Sequence, residues 1–110
     1  MNIDDFQQQA LKSLAITQKT PVALAHRTMG LNGAAGILSN ELKKVIRDKA
    51  GNANDEDLEV VKKRLGDVLY YSAVLAEYYD LKLSDIAAYN LEQSADFLEN
   101  RRASGGKAAE

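Results

Sequence analysis

The sequence contains no cysteine, one proline and one histidine in 110 residues. Without cysteine there is no disulfide, no thiolate nucleophile and no cysteine-ligated zinc. The lone histidine, His26, has no second histidine with which to share a metal and no nearby serine for a catalytic triad. Neither sign of charge is in excess. A formal net charge of -2 gives no electrostatic reason to bind DNA, RNA or an anionic membrane. No apolar run approaches the ~18 residues of a membrane span. The opening Met1-Asn2-Ile3-Asp4-Asp5 has neither the basic nor the apolar region of a signal peptide, so a cytoplasmic protein is expected. Alternating β-branched residues are also missing, and no strand is predicted.

What is present reads as an ordinary soluble domain, 45% hydrophobic and 27% charged. The length suits one domain with a modest core, and a small helical domain with a spare apolar face often oligomerises. Asn2 caps a first helix whose apolar stripe is Ile3, Phe6, Ala10, Leu11 and Leu14, with Gln7, Gln8 and Gln9 placed to the side and outside; it should fade by Gln18. Thr20-Pro21 starts a short helix from Val22 to about Met29. Gly30-Leu31-Asn32-Gly33-Ala34-Ala35-Gly36 lacks the preceding strand and the closing Lys-Ser or Lys-Thr of a phosphate loop. It reads instead as the start of a second helix, running to about Lys49, with small residues that allow a close helix neighbour.

The longest helix is expected from Asp55 to about Tyr79. Leu58, Val61, Leu65, Val68, Leu69, Ser72 and Leu75 recur along it at helical spacing, so that face must be buried. Gly66 interrupts the pattern at a cost of about 1 kcal/mol relative to alanine, which suggests close packing, and Asp67 beside it is a candidate inward carboxylate. Ser84 is the expected cap of a last helix carrying Ile86, Tyr89, Asn90, Leu91, Phe97 and Leu98. The predicted domain spans 1-102, followed by a disordered tail over 103-110.

Gly30-Leu31-x-Gly33-x-x-Gly36, the paired Lys43-Lys44, the block Leu65-Gly66-Asp67-Val68-Leu69-Tyr70-Tyr71 and the closing Leu83-x-x-Ile86-Ala87-x-x-Asn90 occur in that order. Together they resemble the all-α nucleoside triphosphate pyrophosphohydrolases, the MazG-like family, over nearly the whole chain. The resemblance implies an all-α bundle of four main helices plus a short one, assembled as a dimer or a dimer of dimers. It also implies Mg²⁺-dependent cleavage of a nucleoside triphosphate to monophosphate and pyrophosphate. Magnesium requires several oxygen ligands, which the family supplies as four carboxylates at i, i+3 spacing on facing helices. Carried over position by position, three of those four are absent: they fall on Ala34, Ile37 and Arg64, and only Asp67 remains, a remnant metal ligand. The family's lysine and arginine on the last helix fall on Gln93 and Phe97.

No intact catalytic set and no cofactor are therefore expected, with Mg²⁺ relevant only to residual activity. The first functional expectation is a family member that has lost hydrolysis but still binds a nucleotide or phosphate ligand through Lys44, Lys63, Arg64, Asp67, Tyr71 and Asn90. The alternative is a structural or interaction module in which Ala34 and Ile37 fill the old cleft, and a second alternative is residual pyrophosphohydrolase activity. A homo-oligomer is expected, with neither nucleic acid nor membrane as partner.

Overall fold

In a computed structural model, residues 1–105 are described, and among them the chain forms four α-helices and no strand. Helix α1 spans Ile3–Leu11, α2 Pro21–Lys49, α3 Asp55–Tyr78 and α4 Leu83–Ala103. The helical fold class is as the sequence indicates. The helix count differs because the expected short helix and the glycine-rich start are one continuous α2.

The continuity of α2 has a packing cause. Leu24, Arg27, Leu31, Ala34, Leu38, Glu41 and Val45, alternately three and four residues apart, are all shielded from solvent. Asp57, Val61, Arg64, Val68, Tyr71, Leu75 and Tyr78 repeat that spacing on α3 and are all half-buried. Two helices with such seams pack side by side along their length. The burial outweighs the helix penalty of Gly30, Gly33 and Gly36, about 1 kcal/mol each. The pair is antiparallel: Lys49 meets Asp57 at 2.6 Å at one end, and Arg27 meets the Val74 carbonyl at 2.7 Å towards the other.

Helix α1 is shorter than expected and ends at Leu11 rather than near Gln18. Ser13 turns the chain, its hydroxyl donating to the Ala10 carbonyl at 2.8 Å, and the β-branched Ile16 and Thr17 beyond it have little tendency to resume a helix. Asn2 and Asp5 form a capping box at its start, and Asn54 and Asp57 do the same for α3. The core lies where α1 crosses the C-terminal half of α3: Ala10, Ala73, Val74, Ala76 and Leu83 are buried, with Phe6, Leu11 and Leu14 against them.

Gln7, placed outside by its polarity, is instead 3% exposed. Its amide donates to the carbonyls of Ala73 at 3.1 Å and Leu81 at 2.9 Å, and its oxygen accepts from Leu83 N–H at 3.2 Å. Ser84 is likewise not the cap of α4. The cap position falls on Lys82, which offers no side-chain bond. Asp4 of α1 accepts from Ser84 N–H at 3.1 Å and Ser84 Oγ at 2.7 Å, so one helix caps another.

That contact has an acid signature. The Ser84 hydroxyl, then the Ser84 N–H, hold the Asp4 carboxyl below the ordinary carboxylate value. A carboxylate depressed by folding contributes stability above its unfolded pKa and loses it as pH falls through the folded one. Asp4→Asn is therefore expected to flatten the decline of Tm below about pH 4, as followed by circular dichroism across a pH series.

Gly66 packs against nothing: a β-carbon there meets no atom within 4 Å. The close approach is at Gly30, where a β-carbon would collide with the Tyr71 ring. That ring stacks edge-to-face on Tyr70 at 5.0 Å, so yielding to a β-carbon would break the ring pair. Gly66→Ala is expected to raise stability by about 0.5–1 kcal/mol, whereas Gly30→Ala should lower it by about 1–2 kcal/mol as overpacking exceeds the helix gain. Urea midpoints of the two variants test the opposite signs.

The molecule is open. Its radius of gyration is 17.4 Å, against about 13 Å for a compact domain of 100 residues. Every residue of α4 from Asp85 onward is exposed. Of the expected tail, Ala103 closes α4 and Ser104-Gly105 form a turn, while 106–110 lie outside the described residues.

Candidate functional site

The two helices of the hairpin bring Gly30, Ala34, Ile37, Asp67, Tyr70 and Tyr71 around one open groove of ≈ 520 Å³. Three positions that the sequence singled out separately, 34, 37 and 67, are thus neighbours, and Tyr71 joins them. Apart from Asp67 and the tyrosine hydroxyls, the groove is lined by small or apolar groups. Among the described residues no group of three or more His, Asp or Glu is placed to hold a metal ion.

Asp67 borders the groove with its side chain 41% exposed, flanked by Arg64 Nη1 at 3.7 Å and Lys63 Nζ at 3.8 Å. Both are long, partly exposed pairs of the kind that contribute at most about 1 kcal/mol. Arg64 lies in the α2–α3 seam with 30% of its side chain exposed, and its Nε is buried without a hydrogen-bond partner. It does not line the groove.

The remaining candidates are elsewhere. Lys44 pairs with Glu41 at 3.7 Å and lines a separate small cavity with Asp48, Lys49 and Asp57. Asn90 sits on the exposed length of α4. Of the six proposed ligand contacts, Lys63, Arg64, Asp67 and Tyr71 lie close together on α3, but Lys44 is carried to the far end of the hairpin by the helix continuity of α2 and Asn90 stays apart because α4 does not fold back over the groove.

Arg27 was not among the sequence candidates, yet it is 3% exposed. Its Nη1 donates to the Val74 carbonyl at 2.7 Å and to Glu77 at 2.9 Å, and its guanidinium lies 5.6 Å from the centre of the Tyr78 ring. Nε and Nη2 are buried without a partner. Each such idle donor costs about 1–3 kcal/mol. Arg27 also walls a second cavity of ≈ 230 Å³ together with Leu14, Ile16, His26, Tyr70 and Tyr71. A seven-residue spacing from Thr20 to Arg27, Ala34 and Glu41 marks it as a seam residue, a signal visible only if α2 is read as continuous.

On the other flank of the hairpin the apolar stripe of α3 is uncovered. Leu58, Leu65 and Leu69 are 54%, 51% and 39% exposed, contrary to the burial their spacing demands. Leu42 and Ile46 of α2 are exposed as well. Near the α4 end, Leu24, Leu31, Leu75, Tyr79, Leu81 and Ile86 surround an open apolar groove. Among the described residues no helix is long and apolar enough to cross a membrane.

The chain is similar to a protein of Mycobacterium phage L5 described as Gene 37 protein, with 41% identity over 70 residues covering 64% of this chain and 61% of that protein. It thus spans less than two thirds of that relative's length. No protein-family model matches the sequence, and no solved structure matches it.

Proposed function

We propose that this protein is a MazG-like helical module that does not hydrolyse nucleoside triphosphates and acts as a non-catalytic assembly unit, pairing the apolar flank of α2–α3 with a second copy. The observation that carries this reading is the uncovered stripe of Leu58, Leu65 and Leu69, together with Leu42 and Ile46. A stripe at helical spacing on a soluble chain calls for a cover. A two-fold axis would let each copy cover the other and form a four-helix core. Burying a half-exposed leucine contributes roughly 1 kcal/mol, and symmetry counts each one twice. The total is comparable to the ~4–15 kcal/mol that association costs.

The groove supports the loss of catalysis. One carboxylate competing with two nearby cations is a poor magnesium site, since the ion is bound through several oxygens. Ala34 and Ile37 in place of charged groups also remove a desolvation penalty from the hairpin. Retention of a phosphate ligand by Lys44, Lys63, Arg64 and Asn90 is the weaker reading, because Lys44 and Asn90 lie apart from Lys63 and Arg64, and those two already flank Asp67.

The test of catalysis is pyrophosphate release from a mixture of nucleoside triphosphates with Mg²⁺, for the natural chain and for Ala34→Glu/Ile37→Glu/Arg64→Glu. No release above the protein-free blank is expected from the natural chain. Mg²⁺-dependent release by it would overturn the loss of catalysis, and Mg²⁺-dependent release by the folded triple variant alone would support descent from the hydrolase fold.

A further inference from the structure

We infer that α4 is an arm exchanged between copies: its apolar side seats in the groove of Leu24, Leu31, Leu75 and Tyr79 of a second chain, which returns its own α4 in the same way. The inference rests on the self-pairing proposed above and adds the segment that crosses between the copies. Three observations carry it.

The first is the pattern of α4. At 3.6 residues per turn, Ile86, Ala87, Leu91, Phe97 and Leu98 share one side of the helix, and Asp85, Glu92, Asp96 and Glu99 share the opposite side. Such a pattern belongs to a helix that packs through one side. Yet Leu91, Phe97 and Leu98 are 69%, 45% and 50% exposed, and only Leu83, in the first turn, is buried. Helices in proteins are held chiefly by the packing of their apolar side, so α4 calls for a surface that its own chain does not supply.

The second is the groove of ≈ 480 Å³ at the root of α4. Ile86 forms part of its wall, so the apolar side of α4 sets out from the groove. The rest of that side does not return to it. Leu91 and Leu98 stand about 8 and 18 Å further along the helix axis than Ile86, and every residue from Asp85 onward is exposed. One chain thus holds an uncovered arm and an uncovered groove that its own geometry keeps apart. A two-fold exchange covers both in both copies.

The third is the match of length and area. Leu42, exposed like Ile46, lies five turns beyond Leu24 on the same side of α2, so the apolar track continues past the groove for about 33 Å of helix axis from Leu24 to Ile46. The 21 residues of α4 make about 31 Å. Laid beside α2, the arm keeps its acidic side in water and leaves Leu58, Leu65 and Leu69 of α3 to the direct pairing of the hairpins. Counting the apolar side of each arm and the surface it covers, two arms bury roughly 1,400 Å², within the ~1,200–2,000 Å² of specific, stable interfaces.

The test is paramagnetic NMR on mixed dimers. The chain has no cysteine, so Gln93→Cys carries a single nitroxide beside the apolar side of α4. This spin-labelled chain, free of isotope, is mixed with the isotope-labelled natural chain, and sedimentation of the same mixture gives its mass. Twice the single-chain mass is expected, with broadening of the Leu24, Leu31, Leu75 and Tyr79 amides. Adding Phe97→Asp to the spin-labelled chain should remove the broadening, and in a uniform sample that substitution should weaken association about thirtyfold, since an aromatic is lost from each of two arms. A mixture that sediments as a dimer without broadening those amides would overturn the exchange and leave the self-pairing standing. A mixture at the single-chain mass would overturn both. Broadening that appears only when nitroxide and isotope share one chain, diluted in excess natural protein, would place α4 on its own groove and overturn the exchange alone, as would broadening unchanged by Phe97→Asp.

Discussion

Replacing Leu65 with glutamate is expected to halve the mass of the protein in solution. The natural chain should sediment at twice its 12.0 kDa and Leu65→Glu at the single-chain mass. Leu65 is 51% exposed in one chain, so within an isolated hairpin the substitution costs little beyond a surface contact. Against a second copy it places a carboxylate in an apolar seam, twice, by symmetry. An unpaired charge cannot be desolvated there at tolerable cost, and the leucine contribution is lost as well. The effect on assembly is thus large while the effect on helix content is small. Sedimentation equilibrium reports the first and far-ultraviolet circular dichroism the second. A natural chain that stays at 12.0 kDa at tens of micromolar, or a variant that associates as well as its parent, would show that this flank faces something other than its own copy.

Gln7→Leu should remove about 3–5 kcal/mol of stability. The two side chains are similar in size, so volume is not the issue. The glutamine amide is the partner of two carbonyls, Ala73 and Leu81, and its oxygen is the partner of Leu83 N–H. Leucine leaves the buried Leu83 N–H without an acceptor, at about 1–3 kcal/mol before relaxation, and takes the amide donor away from the Leu81 carbonyl and from the Ala73 carbonyl, which keeps its own helix bond. Native domains have only about 5–15 kcal/mol in total. The side chain also joins α1 to the end of α3 and the start of α4, so its loss should loosen α4 first. Urea denaturation measures the change, and hydrogen exchange locates it. Gln8 is exposed on the same helix, and Gln8→Leu should stay within about 0.5 kcal/mol of the natural chain. Equal effects at positions 7 and 8 would mean that the three bonds do not support the packing of α4.

Much of this fold was legible in the residues because the signals are local. Asn2 and Thr20-Pro21 announce helix starts through their side chains, and helical spacing picks out Phe6, Ala10, Leu11 and Leu14 of α1 and Val61, Val68 and Leu75 of α3, which are shielded, though not Leu58, Leu65 and Leu69. The glycine-rich stretch misled because glycine speaks only about intrinsic helix cost. Whether α2 continues through it is decided by burial against α3, which lies far away in sequence. Gln7 and Ser84 misled for a related reason: polarity says that a group needs a partner, not where the partner is. The partners came from Ala73, Leu81, Leu83 and Asp4, all supplied by other elements.

The candidate site divides the same way. Composition and order alone determined that positions 34 and 37 hold no carboxylate, that position 64 holds a cation, and that thiol chemistry is absent. Those facts are identities, and folding cannot change them. Only the tertiary structure decided which of the named residues meet. Antiparallel pairing of α2 with α3 brings Ala34, Ile37, Asp67 and Tyr71 to one groove and sends Lys44 to the opposite end, while the outward course of α4 leaves Asn90 apart. The same pairing encloses Arg27. It also leaves the stripe of Leu58, Leu65 and Leu69 uncovered, because a two-helix layer has two flanks and α1 covers only one of them.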